Sequence, residues 1–257
     1  MVKTAAEIRR VLGFDPTNQK VKNWEEALRS FVEKAEAAGI LVMRSGMVAH
    51  HPTRKLEVEE MRGFALADKL APLVFVNAND AKAAQMFTMA HEIAHLWTGE
   101  SALSDPDPSN AAKRAVEKWC DEVAAETLLP MAALERELPP TSDPLREVGP
   151  LAVKYRVSEL VILRRMLDAK RITGAAFTTA YVRRYGAFVA AEQQAKAEAE
   201  GGPSFYRTAP LRVSKRFASM LAHDTLAGRT SYRDALRLLG ITRVETFREL
   251  GRTLGVE

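Results

Sequence analysis

The sequence predicts an α+β fold, and three observations carry that reading. Apolar residues recur at helical spacing over the first 40 residues. Between residues 40 and 77 that spacing gives way to three short apolar runs. From residue 81 onward helical spacing returns, so the order is helices, a small sheet, then helices.

Within the opening helices, Leu28, Phe31, Val32 and Ala35 form a stripe between Trp24 and Ala38, with Gly39 as the closing residue. Ile40-Leu41-Val42-Met43 reads as a strand followed by a Ser45-Gly46 turn. Gly63–Asp68 and Leu73–Asn77 read as two more strands, with Pro72 limiting the second of these at its start. Asn79-Asp80 is positioned to cap a long helix from Ala81 to Trp97, closed by Gly99. A loop rich in Ser, Asp and Pro follows from Ser101 to Asn110, then a second long helix from Ala111 to Leu129, ended by Pro130. Pro139-Pro140-Thr141-Ser142-Asp143-Pro144 has the composition of a domain boundary. Beyond it, Val148–Leu167 reads as helix, tight turn and second helix, the latter opened by Ser158. Residues 189–200 are strong helix formers with little apolar periodicity, and Gly201-Gly202-Pro203 stops them. The tail from Ser204 to Glu257 reads as helical and rich in Arg. The expected units are residues 1–138, residues 145–186 and residues 187–257.

Composition narrows the function classes. The chain has 257 residues with 47% hydrophobic and 27% charged, which excludes disorder or fibrous repeats as its main state. No apolar run approaches 18 residues, and the first residues lack the apolar segment of a secretory signal, so no membrane association is expected. A single cysteine, Cys120, allows no intrachain disulfide and suits the cytoplasm. The net charge of +4 hides an asymmetry: residues 1–144 hold 17 Lys and Arg against 22 Asp and Glu, and residues 145–257 hold 20 against 11. A basic half suits an acidic partner, nucleic acid included, or simply a solvated surface.

Chemistry concentrates at His91-Glu92-Ile93-Ala94-His95, an H-E-x-x-H pattern on the first long helix. Residues four apart share a helix face, so both imidazoles can reach one metal ion. Glu92 borders that face and is placed to take a proton from an activated water and pass it to a leaving amine. Zinc suits this work because it acidifies water and polarises a carbonyl, although two imidazoles and a carboxylate also accept manganese or iron. A catalytic site needs a third ligand. His50, His51 and His223 are remote in sequence, Glu100 lies past the helix stop, and Asp105 and Asp107 sit in a loop. The second long helix offers a better source. Its stripe of Val116, Trp119, Cys120, Val123, Ala124, Thr127 and Leu128 is flanked by Glu117 and Asp121, one turn apart. Glu117 suits a metal ligand, and Asp121 suits the group that holds a ligand imidazole by its other N–H. An ordinary exposed carboxylate turn has the same spacing. The expected architecture is a small twisted sheet packed on the H-E-x-x-H helix and a second ligand-bearing helix, followed by a helical C-terminal half.

Three blocks carry a family resemblance: Arg62-Gly63-Phe64-Ala65-Leu66, Phe87–Trp97, and the run from Glu117 through Cys120-Asp121 and Ala124-Ala125 to Leu128-Leu129-Pro130. Over residues 40–130 they resemble the ImmA/IrrE family of metallo-endopeptidases, with Asp121 where Asn is commoner. The resemblance implies His91, His95 and Glu117 as metal ligands and Glu92 as acid/base. Asp121 is similar to the orienting aspartate of thermolysin-like gluzincins. It also implies a protein substrate, since characterised members cut a DNA-binding transcriptional repressor in a stress response or mobile-element switch. Residues 1–38 show no repressor-like helix-turn-helix of the kind many members carry. Residues 151–167 resemble the helix-turn-helix-like segment that follows the family's peptidase unit. There Arg164, Arg165, Lys170 and Arg171 either meet phosphates or belong to a hairpin packed on the peptidase unit.

The leading expectation is a zinc-dependent endopeptidase, its substrate bound as an added strand along Arg62–Ala67 and its oxyanion met by Tyr155 or an arginine. The competing expectation is an antitoxin-like or repressor-like regulator, whose basic C-terminal half binds DNA or a partner around a structural or vestigial metal site.

Overall fold

The structure is a computed structural model that describes residues 1–48, 54–99, 101–103, 111–138, 143–198 and 205–256. Two helices open the chain. Helix α1 (Val2–Leu12) buries Ala5, Ile8 and Leu12, and Gly13 ends it in the left-handed region. Helix α2 (Trp24–Ala37) starts at Asn23, whose side chain accepts from the Glu26 N–H at 2.9 Å. Its cap residue is Ala38, and the left-handed turn expected of Gly39 follows one residue later, at φ 96°.

The sheet comprises β1 (Leu41–Ser45), β2 (Gly63–Leu66), β3 (Leu73–Asn77) and β4 (Ala102–Leu103), in the order β1-β3-β2-β4. Strand β1 runs parallel to β3, with Leu41 opposite Leu73 and Ser45 opposite Asn77. Strand β2 is antiparallel to β3 and to β4. This corrects the expectation that Arg62–Ala67 is the open edge: β4 covers β2 at Phe64 and Ala65. A two-residue strand is too short to show period-2 alternation, so nothing in the sequence announced it.

Helix α3 (Lys82–Thr98) packs on β2, β3 and α2, and Gly99 closes it in the left-handed region. Its cap position is Ala81, not the Asn79-Asp80 pair. Asn79 is used elsewhere: its amide donates to the carbonyls of Gly46 and Leu56 and ties that loop to the start of α3. Helices α4 (Ala111–Leu128) and α5 (Met131–Glu137) follow, then α6 (Pro144–Tyr155), α7 (Glu159–Asp168) and α8 (Gly174–Glu198). Asp143 and Ser158 cap α6 and α7 through their side chains. The apolar core does not stop at residue 138. Val148, Leu151, Ile162, Leu163 and Met166 are buried in one cluster with Met89, Ile93, Val123 and Leu128. Parts of the proline-rich boundary (139–142) and the Gly201-Gly202-Pro203 stop lie outside the described residues. No described helix is long and apolar enough to cross a membrane.

The C-terminal residues form α9 (Phe205–Arg212), α10 (Lys215–Leu226), α11 (Tyr232–Leu239) and α12 (Val244–Thr253) around a core of their own. Helix α9 lies against β1. The junction is polar and buried: the Ser214 hydroxyl donates to Glu36 Oε1 at 2.5 Å, and Arg216 Nη1 donates to the Glu36 carbonyl at 2.7 Å. Ser214 also caps α10 by accepting from the Phe217 N–H. Ser214→Ala removes both roles and leaves a buried carboxylate without its hydroxyl partner. It is expected to cost about 1–3 kcal/mol in chemical denaturation and to expose the chain near residue 214 to limited proteolysis.

Candidate metal centre

Two helices and one strand build the centre. Helix α3 is buried along most of its length, with Met86, Met89, Ala90, Ile93 and Ala94 packed on neighbours. That burial takes its polar residues inside as well: His91 is 8% exposed, His95 1% and Glu92 0%. Three buried polar side chains on an apolar helix cost stability unless they serve one another or a ligand. Here they meet α4, the helix most extensively packed against α3.

His91 Nε2 lies 3.0 Å from Glu117 Oε2, and His95 Nε2 lies 3.4 Å from Glu117 Oε1. The two Nε2 atoms are 3.1 Å apart. Bonds of about 2.0–2.1 Å to a tetrahedral ion place neighbouring ligand atoms about 3.3 Å from one another. The three separations bracket that spacing, so the donor set fits a single tetrahedral ion. His91, His95 and Glu117 offer their ligand atoms within 4.8 Å of one another. The Nδ1–H of His91 donates to Asp121 Oδ1 at 2.8 Å, which orients the ring so that Nε2 faces the other two ligands. The placement expected of Glu117 and Asp121 on one flank of α4 is thus what the structure has, with each acid on a different nitrogen of His91.

Electrostatics follow from this packing. Burial works against a charged His91, yet hydrogen bonds to Asp121 and Glu117 and the charge of Glu92 outweigh it and push its pKa up to about 10. Burial and the nearby His91 lower His95. Glu117 is held below the ordinary carboxylate range: burial opposes this, and the hydrogen bond to His91 overrides it. Cys120 sits behind the centre, fully buried. Burial first, then the charges of Glu117, Glu92 and Asp121, push its thiol up, so it stays protonated and inert.

These shifts give a checkable sign. A metal ligand must offer the neutral imidazole lone pair. Without metal, His91 keeps its second proton at pH 7 because its pKa lies near 10, whereas His95 is already neutral. Zinc binding is therefore expected to release about one proton, and affinity to rise about tenfold per pH unit up to the His91 pKa. Calorimetry in buffers of different ionisation heats measures this release, and zero protons released would contradict the assignment.

Glu92 has a neighbour that sequence reasoning missed. Gly63, read as a strand start and as part of the block Arg62–Leu66 that carries the resemblance, brings the β2 backbone against α3. A Cβ at this position would lie 2.8 Å from Glu92 Oε1, 2.7 Å from Thr88 Cγ2 and 2.8 Å from the Phe75 carbonyl oxygen. Only glycine allows this close approach. Its appearance between Arg62 and an apolar strand was the available signal.

A cleft of about 400 Å³ opens beside the centre between α3, α4, α7 and α8. Thr88 and Asp121 line it together with Phe87, Leu160, Val161 and Tyr181. Other candidates fall away. The Tyr155 hydroxyl donates to Glu137 at 3.3 Å, in the packing of α5 against α6. Arg165 is 5% exposed and paired with Glu126, so it meets no phosphate; Arg164 pairs with Asp168 at 3.0 Å. His223 is exposed on α10. His50, His51, Glu100, Asp105 and Asp107 lie outside the described residues.

Comparison with known proteins adds two matches. Residues 35–167 match a peptidase family model described as an IrrE N-terminal-like domain, a span that runs from the end of α2 through all but the last residue of α7. Residues 213–253 match a domain of unknown function. No curated protein matches the chain.

Proposed function

The chain belongs to the IrrE N-terminal-like domain family of metallopeptidases, and from that premise we propose that it is a zinc-dependent endopeptidase whose substrate is a DNA-binding transcriptional repressor or an operon partner. One observation carries the reading: Glu117, from a separate helix, lies within 3.4 Å of both Nε2 atoms of the H-E-x-x-H pair. Three ligands are the number a catalytic site uses, whereas a structural zinc site is closed by four.

Zinc at this centre would acidify water and polarise the scissile carbonyl. His91, His95 and Glu117 would hold the ion. Asp121 keeps the His91 ring turned and its Nδ1 protonated. Glu92 accepts the proton of the attacking water on its carboxylate and returns it to the leaving nitrogen. Its full burial against the β2 backbone fixes the carboxylate and excludes bulk water from the transfer. The substrate chain lies along the cleft beside Asp121, where Phe87, Leu160 and Val161 offer apolar seats for its side chains and Arg62 and Lys118 offer cations. Manganese or iron fit the same donor set.

Purified chain loaded with zinc, incubated with the DNA-binding protein encoded beside it, is expected to give one discrete cut. A chelator should abolish the cut and added zinc should restore it. An uncut partner in the zinc-loaded sample, or a cut indifferent to chelator, overturns the proposal.

A further inference from the structure

We propose that α10, α11 and α12 form a helix-turn-helix that binds double-stranded DNA, with α12 in the major groove. The segment expected to play that part, residues 145–186, is unsuited to it. Helix α7 has Val161, Ile162, Leu163, Arg165 and Met166 buried, and the face it keeps open, with Leu160, Arg164 and Asp168, lines the cleft beside the metal centre.

The C-terminal helices have the required anatomy. They close on one small core of Ala218, Leu221, Ala222, Ala235, Leu239, Phe247 and Leu250, contributed by all three. Helix α11 ends at Leu239 and α12 begins at Val244, a four-residue turn. Gly240 takes a left-handed conformation there (φ 65°), and the Ile241 N–H returns to the Leu236 carbonyl at 3.0 Å. A short glycine-containing turn between two helices is the mark of this motif. Fully buried Ala235 lets the two helices approach, and Ile241 plugs the turn from inside. Helix α12 buries only Phe247, Leu250 and Gly251. Thr242, Arg243, Glu245, Arg248, Glu249 and Arg252 face solvent.

Charge selects the ligand. Residues 205–256 hold ten Lys and Arg against four Asp and Glu. Internal pairs neutralise Arg229, Arg237 and Arg252. Exposed Lys215, Arg233, Arg243 and Arg248 form no ion pair among the described residues, so they are available to phosphates or to guanine edges. Glu245, between two of them, matches the amino group of cytosine. Single-stranded nucleic acid needs exposed aromatic rings for stacking. On α10–α12 Phe247 is buried and Tyr232 packs against it, with ring centroids 5.4 Å apart, and the exposed Phe205 ring lies on α9 under the Arg212 guanidinium. The major groove of A-form RNA is too narrow for a helix. Duplex DNA is the ligand that remains.

The test uses the full chain and a labelled random-sequence duplex of about 30 base pairs, followed by fluorescence anisotropy from about 50 to 200 mM salt. Binding is expected to weaken steeply with salt. Arg243→Ala/Arg248→Ala is expected to weaken binding at least tenfold and to lower the log–log salt slope by about two. Lys3→Ala/Arg10→Ala removes the same charge from exposed positions on α1 and should leave binding unchanged. The proposal fails if the duplex does not bind at about 50 mM salt, if both double variants weaken binding alike, or if single-stranded DNA or duplex RNA of equal length binds more tightly. These variants lie outside residues 35–167, so the outcome is independent of the peptidase assignment.

Discussion

Glu92→Gln is expected to abolish cleavage, by about 10²–10⁴-fold in kcat, while zinc stays bound and the fold is retained. The substitution is nearly isosteric and replaces a fully buried side chain, so neither packing nor the cavity under it changes. It touches none of the three side chains proposed to hold the ion, His91, His95 and Glu117. What it removes is basicity: an amide cannot take a proton from water near neutral pH or return one to an amine. Metal content by mass spectrometry, together with cleavage of the partner protein, separates these effects. A Gln variant that retains cleavage within about tenfold would dismiss Glu92 as the proton carrier. Loss of zinc alongside activity would mean that the residue holds the site together instead.

The second large effect concerns stability. Arg165→Met is expected to destabilise the fold by about 3–5 kcal/mol. Arg165 Nη2 is bonded to the Glu126 carboxylate where both side chains are almost fully buried, and its Nε donates to the Leu129 carbonyl at 3.0 Å. Glu126 also accepts from the Met131 N–H at 3.1 Å. Removing the guanidinium strands a carboxylate in the core and frees a buried carbonyl. The partner change Glu126→Leu, made in the Arg165→Met background, is expected to recover most of the loss, because an apolar pair replaces the ion pair without leaving a lone charge. Chemical denaturation of the two single variants and the double variant checks the coupling. A cost below about 1 kcal/mol for Arg165→Met would show that the pair contributes little.

Much of the centre was legible because it is written in local spacing. His91 and His95 share a face by the geometry of one helix, and Glu117 and Asp121 flank an apolar stripe by the same rule. The meeting of the two helices is a long-range event, and it was reached through the choice of flank and the resemblance of three blocks. What spacing did not reveal is of two kinds. Contacts made by backbone leave little trace: the approach of Gly63 to Glu92 and the pairing of β4 with β2 depend on atoms every residue has. Side chains with two plausible environments are also ambiguous. Arg165 sits between Arg164 and Met166 in a sequence that reads as basic surface, yet the helix turns it inward to Glu126, whereas Arg164 stays outside. The division at residues 139–144 was read from composition, which reports proline and not the apolar cluster continuing from α4 into α7.

The contact between Gly63 and Glu92 also sets a rule for variation at this spot. The gap beneath the carboxylate has no room for a methyl group, being bounded by a neighbouring strand's carbonyl and a threonine methyl. Leu66, whose side chain faces outward, is free to drift, whereas position 63 tolerates no exchange. Even alanine there would press at once on the acid, the Thr88 methyl and the Phe75 carbonyl, so a silent-looking methyl would disturb the proposed proton carrier together with the sheet.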